Sequence, residues 1–195
     1  MPHAATPIPS RRDLPALLTR LGLVRTGVEL GVARGTYSAH LLANCPVRRL
    51  YSIDAWAGDR GHDLAQCEKT TRRLAPYGAR SIVLRARFDE ALALFPDHAL
   101  DFLYLDGYAH TGNQSGRTLL DWWPKVRPGG LVAGHDYAPR WPRNVAAVDA
   151  FLATARIPAE RFVLTEEDEH PSWIVLPPAA GPAAGADPAA PDPLG

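Results

Sequence analysis

Short apolar runs alternate with helical patterns along most of the chain, and this alternation constrains its fold more than any other feature. Strands are predicted at residues 27–30, 50–54, 81–84, 101–106, 130–134, 161–165 and 172–176. Helices are predicted at residues 12–21, 36–44, 61–74, 88–95, 115–123 and 145–154, the last with Asn144 as its N-cap. This pattern indicates an α/β fold in which helices cover both faces of a parallel sheet.

The last two predicted strands depart from the alternation. Only residues 166–171 separate them, which is enough for a hairpin but too short for a helical crossover. We therefore expect a mostly parallel seven-stranded sheet with a C-terminal antiparallel hairpin.

Composition limits both the folded region and the class of partner. Residues 1–10 hold three prolines and no periodicity, and residues 178–195 are almost entirely Pro, Ala, Gly and Asp, so we predict disordered ends around one domain at residues 11–177. The formal net charge is +0, which favours neither nucleic acid nor a membrane surface, and basic pairs such as Arg11-Arg12 are interpreted as solvated. No signal-like or membrane-spanning run is found, and two isolated cysteines are typical of a cytoplasmic protein.

The first strand leads into a glycine-containing turn typical of nucleotide sites. Gly31 and Gly35 let the backbone approach a ligand closely, and Glu29 precedes them on the strand. A dinucleotide fingerprint would need glycine at Ala33 and Thr36, so the pattern disfavours NAD. Asp54 ends the next strand, where a carboxylate can accept hydrogen bonds from ribose hydroxyls; capping a helix is its alternative role.

Polar residues follow the fourth and fifth strands and are the candidates for chemistry. Asp106 ends one strand, and His135-Asp136 end the next, so the three can converge and bind a divalent cation such as Mg²⁺. His110 lies in a polar, glycine-rich stretch predicted to form a loop over the same crevice, and it is a candidate general base. Alternatives are a hydrogen-bonded rim without metal and a surface histidine.

These motifs, taken in order, resemble one family. The pattern Glu29-x-Gly31-x-x-x-Gly35 is similar to motif I of class I methyltransferases that use S-adenosylmethionine (SAM). Together with DFLYLDGYAHTG, WWPKVRPGGLVAGHDY and Ser172-Trp173, it resembles methyltransferase domain family 24, which includes sugar and natural-product O-methyltransferases, some requiring Mg²⁺. Related metal-dependent members carry Asp-Asp where this chain has His135-Asp136.

The resemblance implies a Rossmann-like three-layer sandwich that binds SAM, with Glu29 at the amino end of the methionine part. Residues 87–89 fall where the family places adenine contacts, although Phe88 and Trp56 are equally suited to packing. The predicted cofactor-binding residues are Glu29, Gly31, Gly35, Ser38, Asp54, Trp56, Arg87, Phe88 and Asp106.

The predicted activity is O-methylation of a hydroxyl on a small-molecule acceptor, in a protein whose oligomeric state the sequence leaves open. His110, Asp106 or His135 would remove the acceptor proton, with Mg²⁺, if bound, lowering the pKa of the hydroxyl. The alternatives are an NAD(P)-dependent oxidoreductase on the same fold class and a nucleoside-binding module without catalysis.

Overall fold

The computed structural model describes residues 8–58, 61–107, 116–167 and 169–178. Within these ranges, seven strands form a single sheet in the order β3-β2-β1-β4-β5-β7-β6. Strands β1 to β5 pair in parallel, whereas β7 is antiparallel to both β5 and β6. The predicted parallel sheet with a C-terminal antiparallel hairpin is therefore confirmed.

The strands are β1 Thr26–Leu30, β2 Arg49–Asp54, β3 Ser81–Arg85, β4 Leu100–Leu105, β5 Val126–Gly134, β6 Phe162–Leu164 and β7 Trp173–Val175. The α-helices are α1 Leu14–Arg20, α2 Thr36–Asn44, α3 Leu64–Leu74, α4 Phe88–Leu92, α5 Arg117–Trp122 and α6 Pro142–Thr154. Short 3₁₀ segments precede α1, β3, β5 and β6.

Helices α3 and α6 start three residues away from the predicted positions, each for an identifiable reason. Helix α3 begins at Leu64 rather than residue 61, because the side chain of Asp63 accepts a hydrogen bond from the Gln66 amide and caps it. Helix α6 begins at Pro142, so Asn144 lies inside its first turn. The prediction that Asn144 is the N-cap is wrong, and its buried side chain does something else.

The core has two layers, one on each face of the sheet. Strand β4 is buried along its whole length: Phe102 and Tyr104 face α1 and α2, whereas Leu103 and Leu105 face the other helical layer. The apolar run at residues 101–106 is therefore the central strand of a three-layer sandwich, as both faces of a parallel sheet are covered.

The N-terminal segment, defined here as Ile8–Asp13, packs against the sheet. Ile8 is buried, and Ser10 and Asp13 form a capping box around the 3₁₀ turn before α1. The packed region thus begins at least as early as Ile8, inside the stretch predicted as disordered. Residues 1–7 and 179–195 lie outside the described residues, so disorder there stays a prediction. No helix in the described ranges is long and apolar enough to cross a membrane.

Candidate active site

The carboxyl ends of β1, β2, β4 and β5 lie side by side along one edge of the sheet, called here the carboxyl edge. Strand pairing continues past the strand ends. The backbone amide of Gly31 donates to the Ile53 carbonyl at 2.9 Å. The amide of Asp106 donates to the Leu30 carbonyl at 2.7 Å, and the amide of His135 donates to the Leu105 carbonyl at 3.0 Å. The residues predicted from separate strand ends are therefore held in register with one another.

Gly31 makes the tightest backbone approach at this edge. It has a φ of +89°, and a Cβ on it would lie 2.3 Å from the Cα of Gly107 and 2.4 Å from the carbonyl carbon of Asp106. Gly35 also has a positive φ, and it precedes α2. Only glycine fits the Gly31 position, because any side chain would meet the backbone after β4.

Asp54 holds the glycine-containing turn through backbone amides. Its Oδ2 accepts hydrogen bonds from the amides of Val32 at 3.0 Å and Ala33 at 2.8 Å, and its Oδ1 accepts from Trp56 at 3.2 Å. Trp56 is buried, and its indole N–H donates to the Ala33 carbonyl at 3.0 Å. Both residues thus build the turn, Asp54 by accepting from its amides and Trp56 through its own amide and indole N–H.

Glu29 is buried on β1 beside this turn. The Ser38 hydroxyl donates to its Oε2 at 2.5 Å, and the Ser52 hydroxyl donates to Ser38 at 3.0 Å. Burial, chiefly, raises the pKa of Glu29 to about 8. At neutral pH the carboxyl group is therefore mostly protonated. A cation bound beside it would lower its pKa and favour the carboxylate.

Arg87 and Phe88, predicted at the adenine end, have different surroundings. The exposed Arg87 guanidinium pairs with Asp89, at 3.1 Å from Nε to Oδ1. The Phe88 ring reaches Gly107, where an added Cβ would lie 2.7 Å from its Cζ. Phe88 is therefore at the carboxyl edge, whereas the Arg87 side chain is directed to its own helix.

Asp106, His135 and Asp136 converge, as predicted. Each offers one ligand atom, and these atoms all lie within 4.8 Å of one another. The His135 Nδ1 lies 3.0 Å from Oδ1 of Asp136 and 3.5 Å from Oδ1 of Asp106. Asp136 has a φ of +60°, an uncommon backbone conformation that directs its carboxylate to this cluster.

Two residues that the sequence did not place at this site, Asn144 and His170, support the cluster. The Asn144 side chain donates to the carbonyls of His135 at 3.1 Å and Asp136 at 2.8 Å, which fixes the strained turn after β5. His170, before β7, places its Nδ1 2.6 Å from Oδ1 of Asp136, and its ring stacks on that of His135. Arg140 contacts the opposite nitrogen of His170.

A third residue that the sequence did not place at the site, Arg11, reaches the carboxyl edge from the N-terminal segment. Its Nη1 lies 2.7 Å from Oδ2 of Asp106, so its interpretation as a solvated surface cation is wrong. The capping pattern Ser10-x-x-Asp13 is the sequence feature that could have shown this stretch to be folded. His110, the predicted general base, lies outside the described residues, so its role stays a prediction.

Comparison with known proteins assigns the family. The model of methyltransferase domain family 24 matches residues 28–137, which is more than half of the chain. A search of curated proteins found no match.

Solved structures with the same fold include an O-methyltransferase from Bacillus cereus in complex with S-adenosylhomocysteine (SAH), at 14% identity and a TM-score of 0.60 over 85% of this chain and 79% of that one. The O-methyltransferase TomG from Streptomyces achromogenes, in complex with SAM, has 18% identity and a TM-score of 0.59 over 91% and 83%. A SAM-dependent methyltransferase from Aquifex aeolicus has 17% identity and a TM-score of 0.60 over 86% and 94%. At these identities the likeness establishes the fold.

The sheet order, the glycine-containing turn and the family match all indicate the same class of protein. The chain belongs to methyltransferase domain family 24 and is a class I SAM-dependent methyltransferase.

Proposed function

We propose that the protein transfers the methyl group of SAM to a hydroxyl oxygen of a small molecule. One observation carries the proposal: Glu29 and Asp54, on the cofactor side, lie on the same edge as the cluster of Asp106, His135 and Asp136. A methyl donor held by the first group would meet an acceptor held by the second. The O-methyltransferases of B. cereus and S. achromogenes, which share the fold, agree with this choice of acceptor atom.

The cofactor would lie across the glycine-containing turn. Its ribose hydroxyls would approach Asp54, whose carboxylate has about four lone-pair sites, so the three amides leave about one for a ribose hydroxyl. Its amino group would approach Glu29. A dinucleotide is a poor alternative, because the Val32 and Ala33 amides, which a pyrophosphate would need, donate to Asp54 instead.

The reaction is an in-line displacement, so orientation supplies much of the rate enhancement. The acceptor oxygen forms a bond to the methyl carbon as the carbon–sulfur bond breaks, giving a methyl ether and SAH. The hydroxyl proton must go to a base. His135 suits this role because Asp136, 3.0 Å from its Nδ1, orients the ring; Asp106 and His110 are the other candidates.

The cluster also fits a divalent cation. Two carboxylates and the His135 nitrogen converge within 4.8 Å, and His170 brings a second imidazole nitrogen to Asp136. Carboxylates alone would suit Mg²⁺, whereas imidazole ligands favour Mn²⁺ or another transition metal. Such an ion would lower the pKa of the acceptor hydroxyl.

Two assays test the proposal. Calorimetry with SAH, with and without Mg²⁺ or Mn²⁺, should give one binding site. Labelled SAM with a panel of hydroxylated acceptors should give base-stable methyl ethers, which distinguishes O-methylation from ester formation. A protein that binds NADH but neither SAM nor SAH would contradict the proposal.

A further inference from the structure

Arg11 brings a positive charge to the carboxyl edge from outside the matched residues 28–137. Its side chain is 30% exposed, its guanidinium carbon lies 5.0 Å from the centre of the Tyr37 ring, and its Nη1 contacts Asp106 at 2.7 Å. The motif-based description of the cofactor site does not include it, and the proposed function assigns it no role.

The backbone around Arg11 is fixed to two other parts of the fold. The Tyr37 hydroxyl, on α2, donates to the Arg11 carbonyl at 2.9 Å. The Arg11 amide donates to Oε2 of Glu167 at 3.1 Å, and the Ser10 hydroxyl donates to Oε1 of the same residue at 2.9 Å. These bonds hold the N-terminal segment over the start of α2, so the side chain is positioned before any ligand binds.

The charges of Arg11 and its neighbours are complementary to those of an α-amino acid. Asp106 is a carboxylate, and the buried carboxyl group of Glu29 becomes one when a cation binds beside it. The charges of both Arg11 and Asp106 act on the pKa of Glu29, so the three groups share one electrostatic environment. The methionine part of SAM carries an ammonium and a carboxylate on the same carbon. Glu29 and Asp106 can accept hydrogen bonds from the ammonium. The carboxylate of the same methionine part would be repelled by these two acids unless a cation lies beside it.

We propose that Arg11 binds the α-carboxylate of the methionine part of the cofactor, so that the N-terminal segment forms one wall of the cofactor site. The guanidinium carries five N–H donors in a plane, so its ion pair with Asp106 and its hydrogen bond with Tyr104 leave donors for a second carboxylate. Arg11 is then a specificity-determining residue that selects cofactors with an intact amino-acid end.

This inference rests on the proposed function, and its test separates the two. The probes are SAH and S-adenosyl-3-thiopropylamine, which is SAH without its carboxylate. Calorimetry measures the affinity of each for the wild-type full chain, Arg11→Ala and Arg11→Gln. The control is Arg12→Ala, which removes the exposed neighbouring cation.

Wild type should bind SAH about 10- to 100-fold more tightly than the decarboxylated compound, since a charge-assisted hydrogen bond has this worth. Both Arg11 variants should lose that preference, because their affinity for SAH falls while their affinity for the decarboxylated compound does not. Arg12→Ala should keep the preference. Equal weakening of both ligands would assign Arg11 a purely structural role and overturn the inference, as would a wild type without preference. A wild type that binds neither compound would instead contradict the proposed function.

Discussion

Asp54 and Asp136 are both buried carboxylates at the carboxyl edge, yet different kinds of partner hold them. Asp54 accepts from three backbone amides, which the path of the chain fixes. Asp136 contacts the side chains of His135 and His170, and the latter comes from the loop before β7. We call the surroundings of Glu29 and Asp54, where we propose that the cofactor binds, the cofactor half. The surroundings of Asp106 and Asp136, where we propose that the acceptor binds, are the acceptor half.

The difference indicates how each half can respond to a ligand. Backbone donors cannot leave without unfolding the turn, so the cofactor half is preorganised. Side-chain partners can rotate, so the acceptor half can exchange its internal contacts for a substrate hydroxyl or a cation. A half that must bind one invariant cofactor is rigid, whereas a half that carries the chemistry is built from exchangeable, ionisable groups.

The largest effect should come from breaking the rigid half at Gly31. Gly31→Ala places a Cβ 2.3 Å from the Cα of Gly107 on a residue with φ +89°, so the turn must move away from β4. We expect roughly 3 kcal/mol or more of destabilisation and no detectable SAH binding. Thermal unfolding and calorimetry measure the two effects.

Gly22→Ala is the matched control. Gly22 has a φ of +69° but nothing within 4 Å of an added Cβ, so it tests backbone strain alone. Its expected cost is about 1 kcal/mol, with unchanged SAH affinity. Equal effects of the two variants would show that the close approach at Gly31 is unimportant.

The acceptor half should affect rate rather than cofactor affinity. His135→Asn removes the imidazole that Asp136 orients, and we expect methyl transfer to fall by about 10² to 10⁴. The dissociation constant of SAH should change less than about twofold, because His135 is not among the proposed cofactor contacts. The same substitution at His98, before β4 at the opposite edge of the sheet, should leave the rate unchanged. An SAH affinity that falls with the rate would show that the halves are not separable.

The cofactor half should also impose a pH dependence on binding. The pKa of Glu29 is about 8 in the free protein, where Asp54, Asp106 and Arg11 are the charged groups acting on it. An ammonium favours the deprotonated form, so SAH affinity should rise between pH 6 and 8 by up to about tenfold per unit. Glu29→Gln should bind more weakly and lose most of this slope. A wild-type affinity that is flat or falls over this range would contradict the assignment.

The raised pKa of Glu29 also determines how the stability of the folded chain changes with pH. The folded pKa of Glu29 lies above the ordinary 4.5, so between these values the folded chain binds more protons than the unfolded chain. The contribution of Glu29 to stability is therefore present below about pH 4.5 and is lost as the pH rises towards 8. Comparing thermal unfolding of wild type and Glu29→Gln across this range isolates the contribution, and the variant should be relatively more stable at pH 8.

The smallest expected effect comes from removing the Asn144 side chain, which links α6 to the backbone of the acceptor half. Asn144→Ala leaves the carbonyls of His135 and Asp136 without their donor, and we expect a loss of about 1–3 kcal/mol in unfolding free energy together with slower methyl transfer. Arg143→Ala, at the exposed position beside it, should stay within about 0.5 kcal/mol of wild type. If the two variants behave alike, Asn144 does not fix the turn.

The two halves also differ in how far the sequence predicts them. The cofactor half follows from local patterns: a strand ending at Leu30, glycines at 31 and 35, and a carboxylate at the end of β2. Strand periodicity and turn chemistry act over a few residues, so the sheet and the glycine-containing turn are predicted correctly.

The acceptor half depends on contacts between residues far apart in the chain. Arg11 and Asp106 are 95 residues apart, and His170 and Asp136 are 34 apart, so no local periodicity reports these pairs. Asn before a helical pattern favours a cap, so the sequence predicts that role for Asn144. In the structure Asp136 has a left-handed backbone conformation, and Asn144 is buried beneath it.

A crystal structure of the protein with SAH tests the central claim, that both halves enclose one site, most directly. It should show the ribose hydroxyls within hydrogen-bonding distance of Asp54, the amino group beside Glu29 and the sulfur facing the Asp106–His135 cluster. Well-ordered SAH anywhere else on the protein, or with its sulfur turned away from that cluster, would contradict the account.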